Sequence, residues 1–238
     1  MAALLPIQRQ LRALASPEIA RIQQGFFKTG PGQYGEGDVF IGIKVPVLRS
    51  LAKRQRDAGL DEVQTLLDSK YHEERVFALL QLMQYYARAG DTGRQAAFDL
   101  YLANTHRINN WDLVDISAPH IVGRHLQDRP RKLLHKLAKS ASLWERRIAI
   151  IATFHFIRRD DFSDTLRIAA TLLSDEHDLM HKAVGWMLRE VGKRDQPLLE
   201  TFLRQHYPRL PRTALRYAIE RFDPALRQQY LKRTFPIA

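Results

Sequence analysis

The punctuation of the chain from Pro46 onward most constrains its fold. Apolar residues recur there at helical spacing, and the breaks between them fall on helix stop and start signals. Gly59 and Gly90 stand at stops, and Pro130, Pro197, Pro211 and Pro224 each open a new stretch. Proline suits the first turn, whose N–H groups have no partner inside the helix. Ser142-Leu143-Trp144-Glu145 has the form of a capping box. The expected helices are 46–58, 60–69, 72–89, 92–106, 110–126, 130–140, 143–158, 162–174, 177–194, 197–206, 211–222 and 224–234. Upstream, Leu4, Ile7, Leu11 and Leu14 form one stripe of a first helix over 4–15. Ser16-Pro17-Glu18 then restarts the chain, serine as cap, for a second helix to about Phe27. Short alternating apolar runs are lacking, so no sheet is expected and the fold class is all-α.

One long irregular stretch interrupts this pattern, over 29–43. It contains Gly30-Pro31-Gly32-Gln33-Tyr34-Gly35, which formally fits a dinucleotide fingerprint. No strand precedes it, proline stiffens the turn and no helix opens at its end, so it reads as a plain connecting loop.

The helices recur in pairs. Polar anchors of successive second helices are Arg75, Asp115, Arg147, Lys182 and Arg212, spaced 40, 32, 35 and 30 residues apart. That degenerate period predicts an α-solenoid of HEAT-like repeats, a single domain over 1–238. An ordinary helical bundle is the alternative. In a solenoid, equivalent helices line one concave surface, so anchors far apart in sequence share one groove.

That groove would be basic. Lys plus Arg number 37 against 26 Asp plus Glu, a formal charge of +11, which favours a polyanionic partner. Cysteine is absent, which excludes disulfides and thiolate metal sites and fits a cytoplasmic protein, nucleoid-associated if bacterial. The stretch 1–14 lacks the basic-then-apolar order of a secretory signal, and no apolar run is long enough to span a membrane.

All three tryptophans sit beside charged residues. In Asn109-Asn110-Trp111-Asp112-Leu113-Val114-Asp115, two good cap residues precede a helix on which Trp111 and Asp115 share a face one turn apart. Trp144-Glu145-Arg146-Arg147 adds an aromatic and two cations. Gly185-Trp186-Met187-Leu188-Arg189-Glu190 adds another tryptophan and an arginine. Lys182 stands one turn before Trp186. Taken singly, an aspartate on a helix is usually solvated or a cap, a tryptophan is usually core, and an arginine is usually a surface charge. Asp112 fits a capping role, and Trp144 a core or rim position.

Together these motifs resemble the AlkD-like family of DNA alkylation-repair glycosylases, and the likeness covers most of the chain. Tyr34-Gly35-Glu36-Gly37-Asp38, Phe40-Ile41-Gly42-Ile43 and Pro46-Val47-Leu48-Arg49 look like its N-terminal signature. Trp111-Asp112-x-x-Asp115, Trp144-x-x-Arg147-x-Ala149 and Lys182-Ala183-x-Gly185-Trp186 follow in order. The resemblance implies a HEAT-like fold and removal of positively charged alkylpurines, chiefly 3-methyladenine and 7-methylguanine, from duplex DNA. It also implies that the damaged base is not flipped into a pocket, unlike the usual glycosylase. Carried over residue by residue, the lesion-facing tryptophans are Trp111 and Trp186, the catalytic aspartate is Asp115, and the backbone-contacting arginine is Arg147 or its neighbour Arg146. The family's N-terminal aromatic contact has three candidates, Phe26, Phe27 and Tyr34.

The chemistry agrees with that assignment. A purine alkylated at N3 or N7 leaves as a neutral base, so no general acid is needed. What remains is an oxocarbenium-like sugar, which a fixed carboxylate stabilises. At about 4 Å and an effective dielectric near 20 this is worth about 4 kcal/mol, roughly a thousandfold in rate. Asp115 can supply that charge or orient the attacking water. The ring faces of Trp111 and Trp186 suit a growing cation. Lys182, Arg189, Arg212 and Arg216 are expected to bind phosphates along with Arg146, although Arg189 can instead pair with Glu190 or an adjoining repeat. The expected protein is a monomer that needs no metal or cofactor. His177 and His181, and the run His72-Glu73-Glu74-Arg75, are read as solvated or capping residues rather than metal ligands. Two other functions compete with the glycosylase: a non-catalytic solenoid recognising DNA or RNA shape, and a protein-interaction scaffold.

Overall fold

The protein is described here by a computed structural model covering residues 4–234. Met1 to Ala3, which fall in the stretch read for a secretory signal, lie outside the described residues. The chain forms two compact units, Met1–Ser117 and Ala118–Ala238. Among the described residues all regular structure is helical, apart from one isolated parallel bridge between Val39 and Tyr71. No helix among them is long and apolar enough to cross a membrane.

The first unit contains α1 (Pro6–Ala13), α2 (Pro17–Phe26), α3 (Val45–Arg54), α4 (Leu60–Leu67), α5 (His72–Arg88), α6 (Asp91–Ala103) and α7 (Trp111–Ser117). The second contains a π turn (Pro119–Gly123), α8 (Lys132–Leu137), α9 (Leu143–Ala152), α10 (Phe154–Ile157), α11 (Ser163–Leu172), α12 (Asp178–Gly192), α13 (Gln196–His206), a 3-10 turn (Tyr207–Arg209), α14 (Arg212–Ala218) and α15 (Pro224–Lys232).

The packing has a repeat character within each unit. Helix α5 touches α4 and α6 and also the equivalent helices α3 and α7. In the second unit α12 touches α11 and α13, and also α9 and α14. Each such central helix is enclosed by neighbours. An unbroken run of α5, from His72 to Leu82, is therefore buried, polar residues included.

Local chemistry explains most helix starts. Ser16 Oγ accepts from the Ile19 N–H at 3.4 Å, with Pro17 in the first turn. Asp195 and Asp223 cap α13 and α15 ahead of Pro197 and Pro224. At α9, Ser142 Oγ accepts from the Glu145 N–H at 3.4 Å, as the expected box requires, and the Glu145 carboxylate accepts from Ser140 Oγ at 2.5 Å.

Two expected helices are interrupted. The 110–126 stretch passes into the π turn after Ser117, where Pro119 has no N–H to give and Gly123 N donates five residues back to Ala118 O at 2.9 Å. The 143–158 stretch breaks at Thr153, whose hydroxyl donates to the Ile150 carbonyl at 2.6 Å and tightens the turn.

The 29–43 stretch is a connecting loop with tethers. Glu73 accepts the backbone N–H groups of Ile41, Gly42 and Ile43 at 3.0, 2.8 and 3.2 Å. Gly42 has φ +86, and a Cβ there would lie 2.0 Å from Ser16 O, so only glycine fits. This corrects the reading of His72-Glu73-Glu74-Arg75 as solvated: all four are buried, His72 to 1% exposure. Glu73 does cap backbone groups, but of a loop distant in sequence. Glu74 accepts from Gln8 at 2.7 Å and from Arg12 at 2.8 Å. The charge run is concealed because α5 is central, a fact of tertiary packing that the run itself does not encode. His177, by contrast, caps α12 as expected, accepting from the Leu179 N–H at 3.1 Å.

Candidate functional site

The residues singled out by sequence fall in both units. In the first, α7 opens at Trp111, whose N–H donates to the Asn110 side-chain oxygen at 2.8 Å. The Asn110 amide in turn donates to Asp38 at 3.2 Å. Asp38 also binds His72 Nδ1 at 3.0 Å and the Arg75 guanidinium. On the other side of the same imidazole, Nε2 meets the Asp112 carboxylate at 2.8 Å. His72 is thus held between two acids. Burial alone would lower its pKa, but Asp112 and Asp38 outweigh burial and raise it to about 9, so it is an imidazolium at neutral pH. Asp38 is pulled the other way. Burial opposes its charge, yet the His72 hydrogen bond and the Arg75 charge bring its pKa down to about 2.

This network fixes the start of α7 and with it the tryptophan. The half-buried Trp111 ring stacks on Phe27, centroids 5.1 Å apart at 19°, and meets the edge of Phe26 at 5.9 Å. Phe27 stacks in turn on Phe40 at 5.0 Å, and Phe40 on His72 at 4.3 Å. Phe26 stands 63% exposed. Of the three aromatic candidates near the N-terminus, two therefore touch Trp111. No periodicity links positions so far apart, and sequence reasoning left them unassigned.

Asp115 lies one turn after Trp111 and is half-buried. Below it, the Tyr101 hydroxyl and Ser117 Oγ lie 3.0 Å apart, and Ser117 donates to the Leu113 carbonyl at 2.6 Å. Burial raises the pKa of Tyr101. The Ser117 bond works against that rise, and the Asp115 charge adds to it. The tyrosine is therefore neutral, and α7 presents a π surface and a carboxylate side by side.

In the second unit, Arg147 is 5% exposed, and its guanidinium donates to the Leu179 carbonyl of α12 at 2.7 Å. Its neighbour Arg146 binds Asp175 at 2.6 Å and the carbonyls of Ser140 and Ala141 at 3.0 and 2.8 Å. Trp186, half-buried on α12, donates its indole N–H to Glu190 at 3.2 Å and lies 5.9 Å from the ring of Phe154. Gly185 beside it makes the α12–α14 crossing possible, since a Cβ there would lie 2.5 Å from both Ala214 O and Tyr217 Cβ.

The expected phosphate contacts differ in availability. Arg189 pairs with Glu220 and, at 3.4 Å, with Glu190, the pairing foreseen as its alternative. Lys182 pairs with Asp178 at 2.7 Å. Arg212 is exposed and donates to the Leu231 carbonyl at 3.0 Å. Arg216 is exposed, with no ion pair among the described residues. Trp144 is half-buried, in keeping with a rim position.

The family model of DNA alkylation repair enzymes matches residues 7–222. A solved structure described as a "Predicted DNA alkylation repair enzyme from Enterococcus faecalis" aligns with a TM-score of 0.69 and 18% identity, covering 88% of this chain and 97% of that one. At that identity the likeness is one of fold. Comparison with curated proteins finds no match. The family match takes in α2 through α14, nearly all of α1 and all the motifs described above, and on that ground the chain belongs to the DNA alkylation repair enzyme family.

Proposed function

We propose that this DNA repair protein is a monofunctional DNA glycosylase. It hydrolyses the N-glycosidic bond of positively charged alkylpurines, 3-methyladenine and 7-methylguanine, in duplex DNA, without flipping the base into a pocket. The observation that carries this reading is the short helix α7, anchored through a buried histidine–carboxylate network, with Trp111 and Asp115 one turn apart and neither of them fully buried.

The glycosidic bond breaks with its electron pair going to the base, which becomes neutral. Asp115 stabilises the cationic sugar, water adds at C1′, and its proton passes to solvent. Trp111 and Trp186 contribute ring faces to the growing charge. Arg147 supplies a backbone contact, which its burial against α12 would orient.

The test is incubation of the pure protein with methylated duplex DNA, followed by chromatography of the freed bases. The parent should release 7-methylguanine and 3-methyladenine and leave unbroken abasic strands. Asp115→Asn should slow release about a thousandfold, equivalent to about 4 kcal/mol, while duplex affinity holds. Release by that variant at the parent rate would remove Asp115 from catalysis. Tight duplex binding by the parent with no base freed would make the protein a shape-recognising binder instead.

A further inference from the structure

The second unit carries a cation that none of the motifs above includes. Helix α10 is a single turn, and Phe154 and Arg158 lie i, i+4 across it on one face. The Arg158 guanidinium sits 4.1 Å over the Phe154 ring. Phe154 also meets Trp186, ring centroids 5.9 Å apart at 52°. Phe154 thus links a guanidinium and a tryptophan.

Arg158 differs from other arginines of its unit. Arg146, Arg189 and Arg194 each bind a carboxylate, and Arg159 donates to the His155 carbonyl at 2.9 Å. Arg158 is exposed, and among the described residues its only described side-chain contact is the Phe154 ring. Stacking limits its rotamers without neutralising its charge, which leaves the fork of N–H donors available to an oxyanion.

The surroundings carry the same sign. His155, adjoining Phe154, has its pKa pushed down to about 4, first by burial and then by Arg159, Arg124, His120 and Arg158. A concentration of like charge costs folding free energy, and a polyanion is the ligand that relieves it.

We propose that Arg158, held on Phe154, binds a DNA phosphodiester close to the nucleotide that Trp186 touches. This rests on the DNA-binding reading of Trp186 and adds a residue to it. Phe154 acts as a positioning residue for the guanidinium.

The experiment measures binding of a labelled undamaged duplex by fluorescence anisotropy between 50 and 200 mM salt. Variants are Arg158→Gln, Arg158→Lys, Phe154→Leu and, as an equal charge loss on α11, Arg167→Gln. Arg158→Gln should lower the salt slope by about one unit, so that the affinity lost across that salt range shrinks about threefold. Arg158→Lys should retain the slope. Phe154→Leu should weaken binding with the slope kept. Arg167→Gln should leave the slope unchanged. If Arg158→Gln matches the parent or merely matches Arg167→Gln, while the parent binds normally, the phosphate contact is overturned and the reading of Trp186 stands. If the parent does not bind duplex DNA, both fall together.

Discussion

Two aspartates three positions apart on α7 illustrate how residue type alone leaves function open. Asp112 accepts from the Leu113 N–H at 2.9 Å, the capping role its position suggests, but its dominant partner is His72, 40 positions away. Asp115, half-buried, stands nearer the surface. Removing charge at Asp112 should therefore show first in stability. Asp112→Asn leaves the His72 imidazolium with one carboxylate instead of two and should lower stability by about 3 kcal/mol, the low end for breaking a buried pair. A thermal melt shows this, whereas Asp115→Asn should show its effect in base release. A similar contrast applies to the arginines. Arg146→Gln removes a buried-side ion pair with Asp175 and should cost stability with little change in the salt dependence of DNA binding. Arg216→Gln removes an exposed cation with no ion pair among the described residues, and should lower the salt slope by about one unit at unchanged stability. Equal slopes for the two variants would contradict the division.

At the scale of elements, what the chain announces is what is decided locally. Ser16-Pro17, Asp195 with Pro197, and Asp223 with Pro224 start helices through caps and prolines within a few residues, and each start is observed where the motif puts it. The Trp111–Asp115 pair was legible for the same reason, being one helical turn. The Phe27–Trp111 stack, the His72 network and the Arg158–Phe154–Trp186 contacts were not wholly legible, because each needs a contact between elements. The breaks at Pro119 and Thr153 are intermediate: the residues are visible, but whether a helix kinks or ends depends on what packs against it. Gly185 shows how narrow that packing is. As a helix interior residue it gives up about 1 kcal/mol relative to alanine. Yet Gly185→Ala would drive a methyl to 2.5 Å from Ala214 O, so α12 and α14 must separate. The expected result is a net loss of about 1–3 kcal/mol by denaturant titration, and a gain in stability would show that the crossing is looser than described.

For the whole molecule, one buried histidine in each unit acts on the opposite side of neutrality from the other. His72, in the first unit, is bound as the cation, with its pKa raised to about 9 from an ordinary 6.5. Its contribution is fully present below about 6.5 and is lost as pH rises through about 9. His155, in the second, is held neutral, with its pKa lowered to about 4. Its contribution is present above about 6.5 and is lost as pH falls towards about 4. Asp38, lowered to about 2, adds a loss only below its ordinary value near 3.8. Stability should therefore be greatest near pH 6.5 and fall on both sides, with His72 carrying the alkaline arm and His155 the acid arm down to about 4. The net charge of +11 deepens the acid arm, because protonating His155 adds to a field already positive. His155→Gln can keep the hydrogen bond that the ring makes to Gln127 at 2.9 Å while removing the titration. In thermal melts from pH 4 to pH 9, that variant should lose most of the decline between 6.5 and 4 and keep the parent's alkaline decline unchanged. If instead its acid decline equals the parent's, the buried neutral imidazole is not what sets that arm, and the positive field around Phe154 and Arg158 is weaker than the contacts imply.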